Sequence, residues 1–143
     1  MMKIFAGSDH AGLELKNNMI MYLEKSGYQV EDLGTYTNES CDYPDYAHKV
    51  AKAVLNNPGS RGLLVCGSGI GISMAANRHS GIRAALCRFT LDAELSRRHN
   101  DANVLVLGGR LTGIQLAENI AEKFYATEFE GGRHCGRIAK IEI

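Results

Sequence analysis

Apolar and polar residues alternate in blocks along this chain, and the length of each block indicates its secondary structure. Five short apolar runs, bounded by turn-forming residues, predict buried strands at residues 3–8, 28–33, 62–66, 83–87 and 104–107. Between them, apolar residues recur every three or four positions, which predicts helices over about 11–26, from 44, from 70, over about 90–98 and over about 112–125. Strands that alternate with helices favour right-handed crossovers and a parallel sheet. The pattern therefore predicts an α/β fold: a three-layer α/β/α sandwich around a five-stranded parallel sheet, Rossmann-like, in a single domain covering residues 1–143.

The charge balance and the lengths of the apolar runs argue against a nucleic-acid partner and a membrane partner. The chain has 16 lysine and arginine residues against 16 aspartate and glutamate residues, so its formal net charge is zero. Broad nucleic-acid binding is usually accompanied by a basic excess, so no nucleic-acid partner is expected. No apolar run approaches the roughly 18 residues that a membrane span needs, and the first residues resemble a strand rather than a signal peptide. We therefore expect a cytoplasmic protein with no membrane partner.

The four cysteines are too widely spaced for the Cys-x-x-Cys pair of a zinc or redox site. In a reducing compartment they should be free thiols. Cys87 ends an apolar run and is expected in the core, whereas Cys41 and Cys135 lie in stretches typical of loops. Cys66 differs from all three, because it ends a predicted strand and begins a glycine-rich loop.

Polar residues follow three of the predicted strands. Asp9 and His10 come after the first strand, Cys66 ends the third, and Arg110 follows the fifth. Ligands of doubly wound sheets bind beyond the carboxyl ends of the strands, so these residues predict a site at one edge of the sheet. Two alternatives stay open, because Asp9 could cap the first helix and Arg110 could simply end a strand.

Residues 66–71 (CGSGIG) connect a predicted strand to a predicted helix. Backbone N–H groups at a helix N-terminus attract an anion or a developing oxyanion, and they favour the thiolate form of Cys66. The loop lacks the Gly-Lys-Ser/Thr of a P-loop and the spacing of G-x-G-x-x-G. A Cys-x5-Arg phosphatase loop would need arginine where Ile72 stands. A tight turn whose glycines only ease packing is the remaining alternative.

Positive side chains gather in two further places. His99 follows two arginines at a predicted helix end, where cations interact favourably with the helix dipole. Arg133 and Arg137 would share one face of a helix, and guanidinium groups match phosphate oxygens well, although a solvated basic tail would look the same. The residues interpreted as surface, packing or structural groups are His48, His79 and Arg83.

Taken together, these motifs resemble the ribose-5-phosphate isomerase B family, which also contains galactose- and allose-phosphate isomerases. The resemblance runs the whole length of the chain. It is carried by residues 7–12 (GSDHAG), 42–44 (DYP), 66–73 (CGSGIGIS), 75–77 (AAN), 81–84 (GIRA), 96–103 (SRRHNDAN) and 130–134 (EGGRH).

The resemblance implies an aldose–ketose isomerase that needs neither metal nor cofactor and interconverts ribose 5-phosphate and ribulose 5-phosphate. By resemblance, Cys66 is the base that moves a proton between C1 and C2, and His99 assists ring opening. The Ser68 hydroxyl would lie near O1 and O2. The anion hole would be lined by Gly67, Gly69, Ile70 and Gly71. Amide groups fixed in this way stabilise the oxygen charge of an enediolate.

The same resemblance implies roles for the other polar residues. Sugar hydroxyls or the ring oxygen would be held by Asp9, His10 and Asn100. The phosphate would be bound by Arg110, Arg133 and Arg137. The family also implies a homodimer, or a dimer of dimers, in which each active site is built from two chains.

Three alternatives to this function stay open at the level of sequence. A hexose-6-phosphate isomerase would use the same chemistry on a substrate one carbon longer. A non-catalytic module that binds a sugar phosphate would need the anion cradle and the arginines but not Cys66 or His99. A metal-dependent hydrolase built on Asp9, His10 and His99 is the third.

Overall fold

The computed structural model describes residues 2–143 and contains a sheet of five parallel strands in the order β2-β1-β3-β5-β4. The strands are β1 (Lys3–Ser8), β2 (Gln29–Asp32), β3 (Arg61–Cys66), β4 (Ala84–Leu86) and β5 (Val104–Gly108). Within residues 2–143 the helices are α1 (Leu13–Lys25), α2 (Tyr43–Asn56), α3 (Ile70–Ala76), α4 (Thr90–Asn100), α5 (Ile114–Ala126) and α6 (Arg133–Ala139). None of the helices in this part of the chain combines the length and the apolar character that a membrane crossing requires.

Apolar layers on both faces of the sheet hold the helices in place. On one face, α1 and α5 contribute Met19, Leu23 and Phe124, which are fully buried. On the other face, α2 and α3 contribute Val50 and Ile72, which are also fully buried. Each such side chain stabilises the fold by about 1.5–3 kcal/mol relative to an exposed position. The predicted α/β fold with three layers is confirmed.

The strands differ in burial according to their place in the sheet. All of β5 is buried, and only the first residue of β3 is less than buried. Strands covered on both faces appear in the sequence as continuous apolar runs, which is why these two were predicted closely. The edge strands β2 and β4 are short and only partly buried. The strands predicted at 28–33 and 83–87 are therefore too long.

Three helix boundaries differ from the prediction for local reasons. The first helix begins with a 3-10 turn over His10–Gly12, in which Asp9 Oδ1 accepts the Gly12 N–H at 3.0 Å. The capping interpretation of Asp9 is thus confirmed, and α1 itself starts at Leu13. Helix α4 continues to Asn100. The next residue, Asp101, has a left-handed backbone conformation with φ +46°, which ends the helix. Helix α5 starts two residues later than predicted, because its N-cap Gly113 has an extended backbone with φ −67° and ψ +157°.

The structure shows where the three cysteines other than Cys66 lie, and where the two histidines without a proposed functional role lie. The loop prediction for Cys135 is wrong, because this exposed residue lies in α6. The glycines in and before this short helix are typical of loops, so the sequence does not indicate it. Cys41 lies outside helices and strands, as expected. Cys87 is in the core, where burial raises the pKa of its thiol to about 12. His48 and His79 are packing residues that share a 2.7 Å hydrogen bond.

Candidate functional site

A cleft of about 580 Å³ lies at the carboxyl ends of β1, β3 and β5. Eight of the residues predicted to form the site line it, namely Asp9, His10, Cys66, Gly67, Ser68, Ile70, Gly71 and Arg110. Three further lining residues were not predicted, namely Ala11, Tyr43 and Leu111. The parallel strands bring these side chains together because their carboxyl ends meet at one edge of the sheet.

Cys66 combines a buried position with access to this cleft. Its side chain packs against the apolar layer of α2 and α3 and is 5% exposed, yet it also lines the cleft. Its Sγ atom accepts the Gly69 N–H at 3.2 Å. The sulfur is thus held by a backbone amide of the loop, and Cys66 is the cysteine among the residues that line the cleft.

The loop after Cys66 is held rigidly on both sides. Ser68 Oγ accepts the Ile70 N–H at 3.1 Å, and the Arg110 N–H donates to the Gly67 carbonyl at 3.0 Å. Helix α3 begins at Ile70, directly after this loop, and the first N–H groups of a helix have no partner within it. This geometry fixes N–H groups around a place where oxygen charge could develop.

Asp9 and His10 approach the cleft from the end of β1. Asp9 is buried, and its backbone N–H donates to the Val65 carbonyl at 3.3 Å, which ties it to the strand that carries Cys66. His10 Nδ1 accepts the Cys41 N–H at 3.2 Å. Because Nδ1 is an acceptor, the neutral ring carries its proton on Nε2. The side chain can therefore act as a hydrogen-bond donor through Nε2.

Five predicted site residues are not among those that line the cleft of the same chain, namely Gly69, His99, Asn100, Arg133 and Arg137. Gly69 still belongs to the site, because its N–H donates to Cys66 Sγ, whereas the other four lie elsewhere. Asn100 lines a separate hollow with Asn77 and Arg83. Arg133 and Arg137 are exposed on α6, four residues apart, so the predicted common face of a helix is present. His99, at the end of α4, faces the α6 region instead of Cys66.

His99 stacks on His134, with ring centroids 4.5 Å apart and ring planes 16° from parallel. His134 is buried, and its Nε2 has no hydrogen-bond partner within residues 2–143, although Glu130 Oε1 lies 3.6 Å away. Burial lowers the pKa of His134, and the charge of Arg133 lowers it further. The hydrogen bond from Arg98 lowers the pKa of the Glu130 carboxyl. His134 is thus a neutral ring against which His99 is oriented.

These same residues are the group in the described chain whose atoms could hold a metal ion. One donor atom each from His99, Glu130 and His134 lie within 4.8 Å of one another. The two rings are stacked, so the lone pairs of their nitrogen atoms lie in nearly parallel planes. Ligands of one metal ion must instead point their lone pairs towards a common centre, so this geometry does not favour metal binding. The trio of Asp9, His10 and His99, considered above for a hydrolase, does not form such a group within residues 2–143.

Among the lining residues that were not predicted, Tyr43 belongs to a motif that the sequence analysis singled out. It belongs to the DYP motif and is the first residue of α2. Its ring lies against Gly71, where an added Cβ would come within 2.6 Å of the Tyr43 ring. The sequence signals the start of a helix here, but it does not show that α2 leans its first residue over the loop of β3.

Comparisons with known proteins give consistent results. A sequence profile described as Ribose/Galactose Isomerase matches residues 4–141. Ribose-5-phosphate isomerase B of Escherichia coli is 45% identical over 141 residues, which are 99% of this chain and 95% of that protein. The crystal structure of a ribose 5-phosphate isomerase from Thermotoga maritima superimposes with a TM-score of 0.96 at 55% identity, covering 99% of this chain and 97% of that one. Ribose-5-phosphate isomerase B of Clostridium thermocellum gives a TM-score of 0.96 at 51% identity, with coverages of 98% and 95%.

Proposed function

The chain belongs to the ribose/galactose isomerase family and is an isomerase, and from this premise we propose that it interconverts ribose 5-phosphate and ribulose 5-phosphate. Relatives that carry the name ribose-5-phosphate isomerase B match it along nearly their whole length. The cleft volume of about 580 Å³ accommodates a phosphorylated pentose.

The proposed chemistry centres on Cys66. The thiolate takes the proton from C2 of the open-chain aldose, and the electron pair of the broken C–H bond forms the C1–C2 double bond of an enediolate. The carbonyl oxygen at C1 gains the negative charge, which the loop amides stabilise by about 3 kcal/mol for each donor. A proton then passes from the O2 hydroxyl to O1, which moves the negative charge to O2. As the C2 carbonyl forms from O2, the electron pair of the C1–C2 double bond takes the proton back from the thiol at C1, which gives the ketose and regenerates the thiolate. The observation that carries this proposal is the Gly69 N–H, which donates to Cys66 Sγ at 3.2 Å on the wall of the cleft.

Substrate binding is assigned to the residues around the thiol. The Ser68 hydroxyl is placed near O1 and O2, Asp9 and His10 hold sugar hydroxyls, and Arg110 faces the phosphate. All four side chains line the cleft. The Nε2–H of His10 is a suitable donor for an oxygen of the sugar, because Nδ1 is already occupied by the Cys41 N–H.

A second copy of the chain is proposed to supply the remaining residues. His99 would assist ring opening, Asn100 would bind the sugar, and Arg133 and Arg137 would neutralise the phosphate. Supporting this arrangement, both arginines are exposed, and none of the four residues reaches the cleft of its own chain. A symmetric dimer brings the same two surfaces together twice, so it would create two complete sites.

The test is a panel of pentose and hexose phosphates assayed for aldose–ketose conversion by the purified protein. Cys66→Ala should lower kcat by at least about a thousandfold while sugar-phosphate binding, measured by calorimetry, stays within about threefold. Cys135→Ser, which replaces an exposed thiol, is the matched control and should retain wild-type kcat. Binding without conversion of any phosphosugar by the wild-type protein would instead identify a non-catalytic binding module.

The same panel addresses a second candidate function, the isomerisation of a hexose 6-phosphate. The family description names galactose beside ribose, which favours testing this alternative. A hexose substrate places its phosphate one carbon further from the reacting carbons. A higher kcat/KM for galactose 6-phosphate or allose 6-phosphate than for ribose 5-phosphate would replace the pentose assignment with the hexose one.

A further inference from the structure

Three arginines meet in a hollow at the end of the sheet opposite the cleft. The hollow has a volume of about 400 Å³ and is lined by Arg61, Arg83 and Arg97, together with Asp101. Arg61 is the first residue of β3, whereas Cys66 is the last. Five residue steps along a strand amount to roughly 17 Å, so one small ligand cannot occupy both places.

Arg97 forms the floor of this hollow. Its side chain is only 4% exposed, which is rare for a charged residue. Nε donates to the Thr127 carbonyl at 3.1 Å, and Nη1 donates to Asp101 Oδ1 at 2.8 Å and to the Ala102 carbonyl at 2.6 Å. The guanidinium group is therefore fixed in one orientation before any ligand arrives.

The other two arginines are anchored in the same manner. Arg61 Nη1 donates to the Phe124 carbonyl at 3.2 Å, at the end of α5. Arg83 donates through Nε to the Asn100 carbonyl at 3.0 Å and through Nη2 to the Asp101 carbonyl at 2.9 Å, at the end of α4. Helix carbonyls thus hold both guanidinium groups without neutralising their full charges.

Positive charge is left over in this arrangement. Asp101 is the only carboxylate among the lining residues, and it is shared between Arg83 and Arg97. Glu128 also attracts Arg61 from nearby. Burial lowers the pKa of Arg61, and the neighbouring charge of Arg97 lowers it further, as expected for two like charges that line one hollow. A bound dianion would relieve this repulsion.

Hydrogen-bond donors are available for such an anion. Within residues 2–143, Nη2 of Arg61, Nη1 of Arg83 and Nη2 of Arg97 make no hydrogen bond. Fixed guanidinium groups are well suited to the oxygens of a phosphate group. We propose that the hollow of Arg61, Arg83 and Arg97 is a second, non-catalytic binding site for a small dianion of the phosphate class.

The first experiment is calorimetric titration of the full chain with inorganic phosphate. Arg110→Gln, Arg133→Gln and Arg137→Gln are introduced together beforehand, to remove the phosphate contacts assigned above to the isomerase site. In this background, adding Arg61→Gln should weaken the remaining phosphate binding by about tenfold or more, because a charge-assisted bond is lost. Adding Arg78→Gln, an exposed arginine outside the hollow, should change it by less than about twofold.

A second pair of variants leaves every guanidinium contact intact. Leu55 lines the hollow and is exposed, so Leu55→Glu adds a negative charge at its rim. Phosphate affinity should fall by about fivefold, whereas Met21→Glu, an exposed position on α1, should leave it unchanged. The proposal is overturned if the background protein binds no phosphate at millimolar concentration, or if Arg61→Gln and Leu55→Glu bind phosphate as tightly as their controls. Loss of isomerase activity in the panel above would not affect this outcome, because the readout is binding alone.

Discussion

At the scale of single residues, Gly69 determines how the amide groups meet the sulfur of Cys66. Its φ of +80° lies in the region that side chains disfavour, and this conformation turns its N–H towards Sγ. A Cβ built at this position would lie 2.5 Å from Leu86 Cδ1 and 3.1 Å from the Leu107 carbonyl oxygen. Both the backbone angle and the close contact with β5 therefore require glycine.

We expect Gly69→Ala to lower the free energy of unfolding by about 1–3 kcal/mol, because it combines backbone strain with a steric clash. Turnover should fall as well, since the Gly69 N–H would be displaced from the sulfur. Urea denaturation and steady-state kinetics measure the two effects. Gly136→Ala is the control, because nothing lies within 4 Å of its added Cβ and alanine is the better helix residue in α6. Equal stability of the two variants would contradict the account of Gly69.

At the scale of elements, a buried lysine connects α1 to the segment that follows β2. Lys16 has no exposed surface, and its Nζ donates to Asp32 Oδ1 and to the Thr35 carbonyl, both at 2.6 Å. That segment pairs in turn with the end of β1, where the Ser8 N–H donates to the Gly34 carbonyl at 2.7 Å. The ammonium group thus joins α1 to the loop, and a backbone hydrogen bond joins the loop to the strand that leads to Asp9.

Lys16→Met should therefore lower the free energy of unfolding by about 3 kcal/mol. The substitution keeps most of the side-chain volume but leaves the Asp32 carboxylate and the Thr35 carbonyl without their partner. The partial exposure of Asp32 keeps the cost below that of a fully buried pair. Lys25→Met, at an exposed position near the end of the same helix, should change stability by less than about 0.5 kcal/mol. Chemical denaturation curves that coincide for the two variants would show that the buried pair contributes nothing.

The pairing of α2 with the segment after α3 should make stability depend on pH. His48 Nδ1 and His79 Nε2 lie 2.7 Å apart, so one ring must be neutral for the hydrogen bond to exist. Burial lowers the pKa of His79 below 6.5, and His48 and Lys52 lower it further. Because the unfolded chain then binds protons more readily, stability is complete above about pH 6.5 and falls as the pH drops below that value.

The measurement is the free energy of unfolding between pH 5 and pH 8, for the wild-type chain and for His79→Asn. The variant should lose less stability than the wild type on going from pH 7.5 to pH 5.5. His134, whose pKa is also lowered, contributes in the same direction in both proteins, so the difference between the two slopes isolates the His48–His79 pair. Identical slopes would exclude a role for this pair.

The sequence predicts the elements best where pattern and burial agree. The runs of β3 and β5 are apolar because both faces are covered, and the helices α1 and α5 have long periodic patterns. The edge strands and the glycine-flanked α6 are short, so their boundaries depend on contacts that no local pattern records. Lys16 is the clearest example, because a lysine in a helical pattern indicates an exposed position and its burial depends on Asp32, which is distant in sequence.

The parts of the candidate site that the sequence predicts are likewise those that depend on a local pattern or on strand direction. The carboxyl-end rule brought Asp9, Cys66 and Arg110 to one cleft, because it depends only on strand direction. The lining role of Tyr43 depends on how α2 is tilted, which strand direction does not determine. The roles given to His99 and Arg137 stay predictions, since the positions of these residues relative to a partner chain are not encoded in any local pattern.

At the scale of the whole molecule, the residues with proposed catalytic or binding roles lie on two separate surfaces. One surface is the cleft around Cys66, and the other carries His99, Arg133 and Arg137 on α4 and α6. Large apolar side chains are exposed as well, among them Met74, Phe89 and Leu111, with Leu111 on the cleft itself. A symmetric dimer would cover apolar residues of this kind and join the two surfaces into two sites.

This arrangement predicts that two inactive variants restore each other's activity. Cys66→Ala and His99→Asn are each expected to have little turnover alone, but an equimolar mixture that is unfolded and refolded together should recover about a quarter of wild-type activity. Half of the dimers would be mixed, and each mixed dimer would hold one site with both replacements and one site with neither. Separating the mixed dimers by ion exchange, with a charged tag on one variant, should raise the recovered activity to about half. If tagged mixed dimers form but are as inactive as their parents, Cys66 and His99 belong to one chain's site or to no common site, and the two-chain arrangement is wrong.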